Sequence, residues 1–201
     1  MFEYKTEQAR LAIPLLHRKM AAMGAPDLKN IQDEQHLAAY MMLYIAARIY
    51  ANVDTNHFGG RDRYGHVGAV IIIPGVDQII FYQSKKMSFG WYHAERGALR
   101  VARRFAKRHG YTLKDCILIV SMEPCVGDVP GRIGCSCSKL VKEQTFSKVY
   151  VGYRDRTLAN WFGRMPKWPS NWTLINDSYV NEVARELYDF FGIWYDSRKK
   201  K

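Results

Sequence analysis

Apolar side chains recur at helical spacing in two segments near the start of the chain, residues 5–22 and 33–51. A period of about 3.6 residues predicts two amphipathic helices. Gly24-Ala25-Pro26 is expected to end the first helix, and Asp33 is placed to cap the second. The same spacing predicts three later helices, at 93–109, 137–146 and 180–194.

Short runs of β-branched and other apolar residues predict five strands. They lie at 67–73, 78–82, 117–121, 149–153 and 171–175. Helices and strands alternate along most of the chain, which is typical of a sheet covered by helices on both faces. The predicted fold is therefore α/β, a three-layer α/β/α sandwich around a mixed five-stranded sheet.

The chain of 201 residues carries a formal net charge of +11 and has a pI near 9.5. This positive charge suits a partner that carries phosphates, although a solvated helix face would also account for dispersed residues such as Arg100, Arg103 and Arg104. No run reaches the roughly 18 apolar residues of a membrane span, so no membrane partner is expected. The N-terminus shows no secretory pattern and the four cysteines favour metal or core roles, so we expect a cytoplasmic protein.

A small set of histidine, cysteine and glutamate residues predicts a metal centre with an open coordination position. His93 and Cys137 lie at predicted helix starts, and Cys125 follows the strand at 117–121, so these side chains can converge at one edge of the sheet. One imidazole and two thiolates leave the fourth tetrahedral position of zinc to water, as in catalytic sites. Glu95 can reach that water without occupying the metal, and it is the predicted catalytic proton carrier. Zn²⁺ is therefore the expected cofactor.

Two neighbouring cysteines compete for the last ligand position. Cys137 is favoured over Cys135 because the predicted helix begins at Cys137, and a helix N-terminus stabilises a thiolate. Ser136 is then expected to cap this helix, which leaves Cys135 in the preceding loop. Cys116 opens a buried strand and is expected to be a core thiol.

Residues 68–152 resemble the cytidine deaminase superfamily. His93-Ala94-Glu95, Pro124-Cys125 and a last cysteine at 137 match the order of ligands in the signature of zinc nucleobase deaminases, with a longer segment between the two cysteines. The resemblance implies a cytidine deaminase-like fold, hydrolytic deamination of a nucleobase and a homo-oligomer. It also supports Cys137, since the length from that residue to Gly152 is typical of the family. On this basis residues 61–201 are expected to form the zinc deaminase domain, with residues 1–60 a helical extension packed on it.

Two subfamilies share further features with the chain. Glu123-Pro124-Cys125-Val126, Gly152-Tyr153-Arg154-Asp155 and the basic C-terminal end resemble bacterial tRNA adenosine deaminases. The glycine- and proline-containing segment between Cys125 and Cys137 resembles the pyrimidine deaminases of riboflavin synthesis. The resemblance therefore implies a reaction class and leaves several substrate classes open.

The favoured substrate is a cytosine-type base, rather than adenine, in single-stranded DNA or RNA. The positive charge and the aromatic C-terminal segment with Trp161, Trp168 and Trp172 support the polynucleotide, although packing beneath an irregular segment would also account for these tryptophans. A free nucleoside or nucleotide is the alternative, and a catalytically silent subunit is a second one. The residues expected to contact the substrate are Ala94, Pro124, Trp91, Tyr92, Asn56, His57, Phe58 and Arg132. Core packing would account equally well for Trp91 and Tyr92.

Overall fold

Helices cover both faces of one β-sheet in the computed structural model, which describes residues 2–55, 63–87, 90–125, 136–154 and 167–196. The helices are α1 (Phe2–Met23), α2 (Glu34–Thr55), α3 (Ala94–His109), α4 (Cys137–Glu143) and α5 (Ser178–Asp196). The strands are β1 (Arg63–Ile72), β2 (Ile79–Met87), β3 (Gly90–Tyr92), β4 (Ile117–Val120), β5 (Lys148–Val151) and β6 (Trp172–Leu174). A short 3₁₀ turn at Leu113–Asp115 precedes β4.

The strands form a mixed sheet in the order β3-β2-β1-β4-β5-β6. β1 pairs antiparallel with β2 and β4, and β2 pairs antiparallel with β3, whereas β5 runs parallel to both β4 and β6. All five predicted strands are present in the described residues. β3 adds a sixth strand at one edge, so the predicted count of five was one too low.

Side chains on the central strands alternate between two buried clusters, as the pleat of a sheet requires. Val70 and Ile119 point into the cluster formed with α1, α2 and α5, and Ile71 and Leu118 point into the cluster formed with α3 and α4. The predicted three-layer α/β/α sandwich is confirmed. The apolar face of α2 belongs to the same cluster as the sheet, while the predicted domain boundary at residue 60 stays a prediction.

Two helix ends follow the sequence signals closely. The Asp33 carboxylate accepts hydrogen bonds of 2.9 Å from the backbone amides of Gln35 and His36, which caps α2 as predicted. α3 ends at Gly110, whose φ of 73° lies in the left-handed region that a residue without Cβ adopts most readily. No helix in the described ranges combines the length and the hydropathy needed to cross a membrane.

Candidate metal centre

Three predicted ligand side chains meet at one end of the α3–α4 layer. His93 occupies the N-cap position of α3, Cys137 is the first residue of α4, and Cys125 follows β4. The imidazole nitrogens and the two sulfurs offer ligand atoms that all lie within 4.8 Å of one another. His93 Nδ1 is 3.6 Å from Cys125 Sγ, so Nδ1 is the nitrogen that faces the cysteines.

The loop end and the helix start that carry the two cysteines are tied together by Ser136. Its hydroxyl donates to the backbone oxygen of Cys125 at 2.9 Å and accepts from the amide of Lys139 at 3.1 Å. Ser138 N also donates to the Cys125 oxygen, at 3.0 Å, and Cys137 N lies 3.5 Å from Cys125 Sγ. Ser136 caps α4, as predicted. Its second role, as an anchor of the Cys125 backbone, was missed because it depends on a contact across 11 residues.

The donor set and its spacing fit a zinc ion. Zinc bonds of about 2.0–2.3 Å at tetrahedral angles place neighbouring ligand atoms roughly 3.5–3.8 Å apart, close to the 3.6 Å between Nδ1 and Sγ. A nitrogen and two thiolate sulfurs are ligands that zinc prefers. Cys135 lies outside the described residues, so the choice of Cys137 over Cys135 stays a prediction.

The pKa values of the three predicted ligand side chains are shifted in different directions. Hydrogen bonds from Cys137 and from His93 lower the pKa of Cys125 well below its usual range. The hydrogen bond with Cys125, together with burial, raises the pKa of Cys137, and the hydrogen bond to Cys125 raises the pKa of His93. Cys125 is therefore the more readily deprotonated of the two cysteines. A metal ion must displace a proton from Cys137 to recruit its sulfur.

Glu95 lies in the first turn of α3, beside the ligands, and is 2% exposed. Its Oε2 has no hydrogen-bond partner among the described residues. Burial raises the pKa of Glu95 to about 7, against the opposing effects of its own backbone amide and of the Cys137 thiol. A buried carboxyl oxygen without a partner is costly unless it serves a ligand or a reaction, and a carboxyl of this pKa can both accept and donate a proton near neutral pH.

The model of one protein family matches this part of the chain. The family is described as the cytidine and deoxycytidylate deaminase zinc-binding region, and the match covers residues 48–153, just over half of the chain. The chain belongs to this family. The predicted superfamily and its zinc cofactor are thereby confirmed, and the coarse activity of the family is zinc-dependent deamination.

Several solved structures are similar to this chain at low sequence identity. The diaminohydroxyphosphoribosylaminopyrimidine deaminase/5-amino-6-(5-phosphoribosylamino)uracil reductase of Thermotoga maritima has a TM-score of 0.51 at 24% identity, covering 83% of this chain and 43% of that one. RibD of Acinetobacter baumannii has a TM-score of 0.47 at 17% identity, covering 78% and 39%. Guanine deaminase of Nitrosomonas europaea has a TM-score of 0.45 at 15% identity, covering 82% and 97%. A search of curated proteins gave no match.

The Thermotoga structure bears on architecture and not on substrate. The chain spans less than half of the Thermotoga and Acinetobacter chains. The Thermotoga structure agrees with the predicted resemblance to deaminases of riboflavin synthesis, and at this identity it shows the shared fold.

A cluster around the buried side chain of Glu123 was missed by sequence reasoning. Glu123 is 3% exposed, its carboxylate accepts a hydrogen bond from the Trp168 indole, and Arg154 Nε lies 3.7 Å from its second oxygen. The Arg154 guanidinium also lies 4.7 Å from the centre of the Trp168 ring. The Glu123 amide donates to the Tyr153 oxygen at 2.8 Å. This cluster fixes the backbone two residues before a metal ligand, and the position of Glu123 directly before Pro124-Cys125 was the available signal.

The same contacts change the interpretation of the aromatic C-terminal segment. Trp172 is buried, and Trp168 packs on it with ring centres 6.3 Å apart. Trp172 belongs to the core on the α3–α4 side of the sheet and the partly buried Trp168 packs against that core, so both rings contribute to interior packing. Trp161 lies outside the described residues.

The predicted substrate contacts divide into two groups. Ala94 and Pro124 are buried next to the ligands, and Trp91 and Tyr92 lie on β3, where the Tyr92 ring meets the Tyr82 ring edge-on at 5.7 Å. The others lie outside the described residues: Asn56, His57, Phe58 and Arg132. Contact with substrate stays a prediction for all of them.

Tyr82 also determines how closely α3 approaches the sheet. A Cβ atom on Gly97 would lie 2.1 Å from Cδ1 of the Tyr82 ring. The amide of Gly97 donates to the oxygen of His93 at 3.1 Å, so this glycine belongs to the turn that carries His93 and Glu95. The metal centre is therefore set against β2 by a contact that only glycine allows.

Proposed function

We propose that this protein is a zinc-dependent hydrolytic deaminase that converts a cytosine-type base in single-stranded DNA or RNA to its oxo form and releases ammonia. One arrangement carries the proposal. His93, Cys125 and Cys137 bring three metal-ligand atoms within 4.8 Å, and the buried Glu95 carboxyl beside them has an oxygen with no partner in the described residues. Three protein ligands with a neighbouring acid are typical of a catalytic zinc site.

The chemistry divides between the metal and the glutamate. His93, Cys125 and Cys137 would hold a zinc ion, and the bound ion would supply the Lewis acidity that makes water a nucleophile near neutral pH. Glu95 takes one proton from the water and gives it to the ring nitrogen, and it then carries the second proton from the newly added hydroxyl to the departing amine. A C–O bond forms at the carbon that bears the amine and the C–N bond breaks. One base and one water thus give the oxo base and one ammonia.

The choice of cytosine rests on the family, whose description names cytidine and deoxycytidylate deaminases. The choice of a polynucleotide rests on charge, because a net charge of +11 favours a partner with several phosphates over one with a single phosphate. The competing function is deamination of a free nucleotide, which would need the metal centre but no surface for several phosphates.

A deamination panel with the zinc-loaded protein tests the proposal. The panel contains cytosine, cytidine, deoxycytidylate, single-stranded DNA and RNA with one cytosine, and the adenine counterparts, with ammonia and the converted base as readouts. We expect the highest kcat/KM on a single strand containing cytosine. Activity confined to free nucleotides would refute the polynucleotide assignment, and activity confined to adenine would refute the base assignment. No ammonia from any substrate would support a silent subunit instead.

A further inference from the structure

The outer side of the α3–α4 layer carries a band of positive charge. The basic band consists of Arg100, Arg103, Arg104, Lys107, Lys139 and Lys142, all of them exposed. The four cations on α3 are spaced by three, one and three residues, so they share one face of that helix. The opposite face carries Ala98, Ala102 and Ala106, which are buried against the sheet.

Within the described residues, no carboxylate forms an ion pair with this basic band. Arg103 instead donates to the side-chain oxygen of Gln144 at 3.2 Å. α3 contains one acidic residue, the buried Glu95. The band therefore presents exposed cations that have no carboxylate partner in the described part of the chain.

The basic band extends away from the metal centre. α3 and α4 both begin at ligands, His93 and Cys137, and further along Arg103 of α3 reaches Gln144 at the end of α4. The two helices therefore run side by side in the same direction. With a rise of about 1.5 Å per residue, the cations from Arg100 to Lys107 span roughly 10 Å of helix, and Arg100 lies about 10 Å along the axis from His93.

We propose that the basic band binds the phosphate backbone of the single strand whose target base enters the metal centre, an inference that rests on the proposed function. Six cations spread along two helices exceed what one nucleotide phosphate can use, whereas a strand presents a phosphate at every nucleotide. A second copy of this chain is a poor partner for the band, because two like-charged surfaces would face each other.

Binding measurements on the full zinc-loaded protein test this assignment. The band variant is Arg100→Gln/Arg103→Gln/Lys107→Gln. The matched control is Arg18→Gln/Lys29→Gln/Lys148→Gln, which removes the same charge from exposed positions outside the band that lie in no ion pair of the described residues. The probe is a fluorescent single-stranded DNA of about 20 nucleotides containing one cytosine, long enough to follow an extended cationic surface. Anisotropy gives the Kd at salt concentrations between about 50 and 200 mM.

We expect the band variant to bind about tenfold or more weakly at the lowest salt, with a log Kd against log salt slope shallower by about 2, since each lost phosphate contact removes about 0.7. The control should stay within about twofold of the wild type, and zinc content and unfolding midpoint should show that both variants are folded. Equal weakening in the two variants, unchanged binding in the band variant, or no binding by the wild type would overturn the proposal.

Two further measurements distinguish a failure of this proposal from a failure of the proposed function. Vesicles containing anionic lipid replace the DNA in the first, and tight vesicle binding that depends on the band, without DNA binding, would assign the band to a membrane surface and refute the proposal. The second arm measures ammonia from the bound strand. DNA binding that depends on the basic band, without release of ammonia, would refute the proposed function. The same result would support the band as a surface that binds polynucleotides.

Discussion

Replacing Trp168 with phenylalanine should destabilise the protein by more than the loss of ring area alone would. The indole N–H of Trp168 donates to the carboxylate of Glu123, which is 3% exposed, and phenylalanine has no donor. A hydrogen bond to a charged group contributes about 1.5–3 kcal/mol to the free energy of unfolding. The smaller ring also gives up roughly 40 Å² of apolar contact, or about 1 kcal/mol. The expected total is about 2.5–4 kcal/mol.

Trp172 provides the matched control for this substitution. It is buried against Trp168, and Trp172→Phe removes a similar part of the ring without removing the donor to Glu123. The difference between the two variants should therefore isolate the hydrogen bond, at about 1.5–3 kcal/mol. In a chain of this length each kcal/mol shifts the Tm by about 2–4 °C, which predicts a difference of roughly 3–12 °C.

The assay is urea and thermal unfolding followed by far-ultraviolet circular dichroism, with all variants saturated with zinc. Saturation is needed because a bound metal stabilises the folded state by mass action. Because Glu123 fixes the backbone next to Cys125, Trp168→Phe should also weaken zinc binding in a chelator competition. A Trp168→Phe protein that is no less stable than Trp172→Phe would refute the role assigned to the Glu123 hydrogen bond.

Three further predictions concern the metal centre. Gly97→Ala should cost about 1–3 kcal/mol, because its Cβ meets the Tyr82 ring at 2.1 Å, and Tyr82→Leu should relieve part of that cost in a double-mutant cycle of urea midpoints. Strictly additive effects would contradict this contact. Cys137→Ser should lose zinc and Cys135→Ser should retain it by metal analysis, and the opposite result would move the ligand to Cys135. Zinc affinity should fall as the pH falls, by about tenfold per pH unit for each displaced proton, because the pKa values of Cys137 and His93 are raised and their protons compete with zinc. A zinc affinity that does not change with pH, measured against a chelator, would exclude competition between protons and zinc.

Elements that depend on local pattern could be predicted from the sequence, and those that depend on pairing could not. α3 begins and ends within one residue of its prediction, since its apolar period and Gly110 are local signals. β3 was missed because its three residues form a strand only by pairing with Lys85–Met87. β2 continues past the predicted end for the same reason, with Lys86 opposite Arg63 on β1. α4 ends three residues early, and Thr145 just beyond it has a φ of 51°, which breaks the helical path.

The candidate site follows the same division. The cluster of His93, Cys125 and Cys137 could be predicted because each ligand lies at the start or end of an element that has a clear pattern. The Trp168–Glu123 hydrogen bond joins residues 45 positions apart, so the position of Glu123 before Pro124-Cys125 could not identify Trp168 as its partner. The tryptophans were assigned as possible base-stacking residues from composition alone, and burial shows that Trp168 and Trp172 support the core.

The most direct test of the account is the rate of ammonia release by zinc-loaded Glu95→Gln protein relative to the wild type, on the best substrate of the panel. Glutamine keeps the size and the buried position of the side chain but cannot carry a proton. The account predicts a loss of at least about 10²–10⁴ in kcat with zinc content unchanged. Turnover close to that of the wild type would contradict the assignment of Glu95 as the proton carrier. Loss of zinc together with activity would show that Glu95 maintains the metal site and would leave its role in proton transfer unsupported.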